Sequence, residues 1–169
     1  MKNITNIQLR VARQILNLGV RDIAKLLKIS KATISKAELG KTRDFFIKNT
    51  PALRDFFESQ QILFPNEYSV RITPKITGEL SEHENPLNRF QLKAARCVLQ
   101  LSQQELAAKA GIDKGIISRA ELLNNSKIIT SSKLEAISDI KNVFYNHNIE
   151  FPDPWSIFFK KHVDSGPKT

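Results

Sequence analysis

Apolar residues recur at helical spacing from the start of the chain. Ile7, Val11, Ile15 and Leu18 lie on one face, and Leu9, Ala12 and Leu16 widen it, so the pattern predicts a helix over 6–17. A second helix follows from Val20 to Leu27, with Ile23, Ala24 and Leu27 facing inward. Lys28 and Ile29 make a turn, and Ser30 is an amino-terminal cap for a third helix, Lys31 to Leu39, that turns Ile34 and Ala37 to the core. Gly40, Lys41 and Thr42 close it, and the mixed segment RDFFIKN comes next. Thr50 reads as the cap of a further helix opened by Pro51, with Leu53, Phe56 and Phe57 on one side. Past Phe64 and Pro65 the period drops to two: Tyr68, Val70 and Ile72 alternate with Ser69, Arg71 and Thr73, which predicts a short strand. The polar run PKITGELSEHEN, 74–85, reads as a linker.

The pattern then begins again. A shift of 83 positions lays Gln8–Gly40 on Gln91–Leu123 without a gap, with 14 of 33 positions identical; chance gives roughly two at ordinary residue frequencies. Asn85 and Pro86 read as the start of the second copy's first helix, LNRFQLKAARCVLQ. Ser102 and Glu105 form a capping box for its second helix. Gly111 sits at the turn and Asp113 caps the third helix, KGIISRAEL. Ser132 and Glu135 form another capping box, for a long helix ending near His147. From there the offset is 87: FP at 64 and 65 matches FP at 151 and 152, and Trp155, Ile157 and Phe159 echo Tyr68, Val70 and Ile72. The expected architecture is mainly α, with two tandem domains, 1–73 and 86–163, each ending in one short strand. A linker over 74–85 joins them, and 164–169 form a flexible tail.

Charge changes this picture more than composition does. The chain carries 26 Lys and Arg against 17 Asp and Glu, net +9. Residues 1–76 hold 14 of those cations and 6 of the anions, net +8, whereas 77–169 hold 12 and 11, net +1. A basic excess gathered in one copy points to a polyanionic partner. No apolar run approaches the roughly 18 residues that span a bilayer, and the amino terminus lacks a signal-peptide core. The lone Cys97 cannot close an internal disulfide, which fits a reducing cytoplasm. His83, His147 and His162 do not cluster with Cys97 or carboxylates at metal-ligand spacing. With no Gly-rich phosphate loop or catalytic constellation either, neither a cofactor, a metal nor an enzymatic activity is expected.

Each copy carries A-x(4)-I-x(4)-I-S-x-A-E-L, from Ala24 to Leu39 and from Ala107 to Leu122. On that motif, each resembles the lambda-repressor-like helix-turn-helix domain of the phage Cro and C1 repressors, the Xre-like regulators. The resemblance implies that the helices Lys31–Leu39 and Lys114–Leu122 enter the major groove of double-stranded DNA. It makes Lys31, Ala32, Lys36, Lys114, Gly115 and Arg119 the candidate base contacts, and Thr33, Lys41 and Gln103 the candidate phosphate contacts. Lysine and arginine suit guanine O6 and N7, and the Ala32 methyl suits thymine. The resemblance also implies internal ion pairs, Arg13 with Glu38 and Arg96 with Glu121. Two departures stand out: copy one has Lys28 where the family favours Gly in the turn, and copy two has Gly115 within its recognition helix.

The function this implies is a sequence-specific, DNA-binding transcriptional regulator of repressor type. It would be a cytoplasmic protein of bacterial or phage origin, associated with the nucleoid when bound. The alternative is an antitoxin-like or anti-repressor-like module that holds a protein partner, with DNA secondary; the apolar FFI at 45–47 is its candidate patch. A homodimer paired through the C-terminal strands is a further expected partnership.

Overall fold

The computed structural model describes residues 2–73, 87–122 and 134–160. The expected linker 74–85, the expected cap at Asn85 and Pro86, the Ser132 and Glu135 capping box and the tail 164–169 are outside those residues or only grazed by them. The chain divides into two compact units, 1–73 and 74–169. Each is mainly helical and carries a short antiparallel pair of strands.

In the first unit, α1 spans Asn6–Ile15, α2 Val20–Leu27, α3 Lys31–Glu38 and α4 Arg43–Ser59, followed by β1 Ile62–Leu63 and β2 Ser69–Ile72. In the second, α5 spans Arg89–Val98, α6 Gln103–Ala110, α7 Lys114–Glu121 and α8 Leu134–Asn146, followed by β3 Ile149–Glu150 and β4 Ser156–Phe159. The cores repeat as the sequence does. Leu9, Ile34, Leu53, Phe57 and Ile62 are buried in one unit, and Leu92, Ile117, Ile140, Phe144 and Ile149 in the other. The repeated FP supplies a ring that meets the last helix edge-on, Phe64 on Phe57 at 5.8 Å and Phe151 on Phe144 at 6.0 Å.

Four expectations are corrected. Helix α4 is one helix from Arg43, with Pro51 inside it. The Thr50 hydroxyl, instead of capping a helix, is buried and accepts the Ile4 amide at 3.0 Å. Pro51 is exposed, so its ring meets water, and the tertiary anchors Phe45, Leu53 and Phe57 hold the helix through it. Helix α1 ends at Ile15 rather than at residue 17, because Asn17 turns left-handed at φ 57°. Helix α5 starts at Arg89 with Asn88 as its cap. Gln91 donates its amide to the Asn88 carboxamide at 2.8 Å and its own side-chain oxygen accepts the Asn88 amide at 3.2 Å. Thr5 and Gln8 make the same reciprocal pair on α1. Finally, each unit ends in two strands where one was expected. Ile62 pairs with Ile72, and Ile149 with Phe159, across a short loop that includes the FP motif. Two-residue strands are too short to show a period.

The buried glutamines explain one repeated identity. The Gln8 carboxamide donates to the carbonyls of Asn66 and Ser69 at 2.5 and 2.9 Å, and Gln91 donates to that of Asp153 at 3.0 Å. Each glutamine thus ties its first helix to the loop of its own hairpin.

Candidate nucleic-acid interface

In each unit two eight-residue helices meet across a tight turn: α2 and α3, and α6 and α7. The turn residue is left-handed in both, Lys28 at φ 54° and Gly111 at φ 65°. The next amide reaches back to the preceding helix, Ile29 to the Ala24 carbonyl and Ile112 to that of Ala107, both at 3.0 Å. The small buried Ala24 and Ala107 let the helices approach, and Ile34 with Ala37, or Ile117 with Ala120, seats the second helix on the core. The repeated motif therefore encodes the pairing of the two helices.

A bidentate ion pair fixes the far end of each second helix. Arg13 donates to both Glu38 oxygens at 2.6 and 2.9 Å and to the Leu18 carbonyl at 2.7 Å. Arg96 does the same with Glu121, at 2.6 and 2.8 Å, and with the Leu101 carbonyl at 2.7 Å. One guanidinium joins the first helix, the turn ahead of the second and the end of the third. At Glu121, burial pushes the carboxyl pKa up, but the hydrogen bonds from Arg96 and Gln103 and the charge of Arg96 outweigh it, leaving the group below its ordinary value. Arg96 is likewise opposed by burial and held above its ordinary value by Glu121.

With the core face and the anchor accounted for, the remaining faces of α3 and α7 meet solvent. Lys31, Ala32 and Lys36 are exposed on α3, and so is Lys41 beyond it. Ser30 accepts the Thr33 amide at 3.1 Å and its hydroxyl bonds that of Thr33 at 2.9 Å, so Thr33 is half-buried and already joined to the cap. On α7, Lys114 and Arg119 are exposed and Gly115 is half-buried. The structure thus brings Lys31, Ala32 and Lys36 onto one short helix, and Lys114, Gly115 and Arg119 onto its counterpart.

The side chain of Gln103, an expected phosphate contact, is bonded within its own unit. Its amide nitrogen donates to Glu121 at 2.9 Å and its oxygen accepts the Ser118 hydroxyl at 2.8 Å, so the carboxamide braces α6 against α7. Copy one has Val20 at the matching position, so the repeat carries no signal for this brace. Asp113 is a further residue whose place the sequence does not reveal. Beyond capping α7 through the Gly115 amide at 2.7 Å, its carboxylate is exposed beside Arg119.

The FFI segment is split by its helix. Phe45 is buried and meets Phe46 edge-on at 4.9 Å, while Ile47 is 67% exposed. A groove of about 430 Å³ beside α3 is lined by Thr33, Asp44, Phe45 and Lys48. Among the described residues no three His, Cys, Asp or Glu side chains gather as a metal site, and no helix is long and apolar enough to cross a membrane. Comparison with protein-family models, curated proteins and solved structures finds no match to this chain.

Proposed function

We propose that the protein is a sequence-specific double-stranded DNA-binding regulator of repressor type, built from two helix-turn-helix domains that present α3 and α7 to the major groove. The observation that carries this reading is the division of labour on those two helices. Ile34 and Ala37, Ile117 and Ala120, and both glutamates are used up inside the domain, while each helix leaves in solvent a cation on its first turn and another five residues on. A short helix so mounted fits a groove about 12 Å wide, with its amino end toward the base edges. A partner that is a polyanion accounts for the concentration of positive charge in copy one. Selection of duplex DNA from a random pool by the full-length chain tests the proposal: a single enriched, asymmetric consensus supports it, and recovery of an unenriched pool overturns it.

The groove beside α3 favours one second reading, a protein-holding module of antitoxin-like or anti-repressor-like type. The Phe45 wall would give an apolar side chain a seat next to the same basic helix. A stoichiometric protein co-purifying with the chain, combined with an unenriched DNA pool, would select this reading over the first.

A further inference from the structure

Helix α2 and its C-cap carry a row of three cations that the fold leaves unused. Arg21, Lys25 and Lys28 follow one another at steps of four and three residues, so they continue one face of the helix over about 10 Å of its length. All three are exposed, and none joins an ion pair among the described residues. The one acid within α2, Asp22, is engaged at the helix start, where its carboxylate accepts the Gly19 amide at 2.7 Å. Arg21 stands three residues before the buried Ala24 and Lys28 four after it. Ala24 is where α2 approaches α3, so the row flanks that contact.

Two of the three stand against local preference. Arg21 lies in the first turn of α2, where the helix dipole disfavours a cation, and the dipole favours Lys25 in the last turn. Lys28 is left-handed at φ 54°, a conformation that strains a side chain and costs glycine nothing. Copy two relieves both. There Gln104, Ala108 and Gly111 stand in place of Arg21, Lys25 and Lys28, and α6 forms with its turn all the same. Residues kept against local preference, with no packing, cap or ion pair to offset it, mark a use outside the fold.

Resting on the DNA reading above, we infer that Arg21, Lys25 and Lys28 grip neighbouring phosphates of one strand beside the groove that α3 enters, a contact that copy two lacks. Each strand of a duplex presents ionised phosphates at even spacing, about one per 3.4 Å of helix axis. A row of cations on flexible stems meets such a line without a shaped pocket. A protein interface would instead be centred on apolar and aromatic side chains, and the row contains none. Phosphate contacts carry no sequence information, so the row adds attraction and fixes position without adding base preference. It extends the contacts expected of Thr33 and Lys41 along a second helix.

The test compares the full-length chain with a triple variant, Arg21→Gln with Lys25→Ala and Lys28→Gly, which puts copy two's residues into α2; thermal melts check that folding is retained. Both are titrated with the duplex enriched by the parent over a series of salt concentrations, and contacts are mapped by phosphate-ethylation interference. In the variant the slope of log affinity against log salt should be shallower by between about two and three, and Arg21→Gln alone should lower it by about one. Base preferences should persist, while neighbouring phosphates of one strand cease to interfere. Equal slopes, or an interference pattern that the triple variant leaves unchanged, overturn the inference and leave the DNA reading standing. An unenriched pool from the parent chain overturns both.

Discussion

Single residues are where the two copies differ most, and Lys28 is the sharpest case. Its φ of 54° places a side chain where Gly111 serves in copy two, at a cost of about 1 kcal/mol. Lys28 is exposed, so no packing is lost with its side chain. Lys28→Gly is accordingly expected to stabilise the first unit by about 1 kcal/mol, read as a higher urea midpoint; an unchanged midpoint would mean that the turn carries no strain. The anchor Glu121 behaves in the opposite sense. Its folded pKa lies below the ordinary glutamate value, so its contribution is present above that value and is lost as the pH falls through the folded pKa. Glu121→Gln should therefore melt well below the parent at neutral pH. The gap should close only in acid below the ordinary glutamate range, once the parent's carboxylate is protonated too. A gap that persists unchanged in acid would show that the charge is irrelevant to the anchor.

At the scale of elements, α4 holds a proline that local rules would place at a helix start. Pro51 removes the bond to the Ile47 carbonyl one turn back, a loss that in an exposed helix interior costs up to about 3 kcal/mol. Because Pro51 is exposed, Pro51→Ala restores the bond without opening a cavity. The variant should melt higher than the parent and show slightly greater helicity by circular dichroism; a lower melting temperature would show that the proline is needed for the fit of Phe45 and Phe57. The same element shows why propensity misleads here. Asn49 and Thr50 lie in a helix that the buried Phe45, Leu53 and Phe57 impose from three successive stretches of its length. One repeated feature has no packing explanation: Leu39 and Leu122 are identical between the copies yet 58% and 86% exposed.

Across the whole molecule, the charge divides unevenly between two copies of one architecture. If DNA is the partner, copy one supplies most of the attraction to phosphate. Lys31→Ala with Lys36→Ala should then weaken binding to all duplexes and lower the slope of log affinity against log salt by about one for each phosphate no longer neutralised. Arg119→Lys should leave that slope alone. Equal slopes for the parent and the double variant would remove copy one's assigned part.

The repeat, the order of helices, the paired-helix motif and the Arg13–Glu38 and Arg96–Glu121 anchors are all legible along the chain, because each rests on residue identity at fixed spacing. Helical periodicity carries the apolar face of α1, and a repeated Arg and Glu 25 residues apart carries the ion pair. What the linear pattern does not hold is any interaction set by a partner distant in sequence. The passage of α4 through Pro51 depends on aromatic burial, the hairpins depend on strands two residues long, and the buried Gln8 and Gln91 matter for carbonyls some sixty residues away.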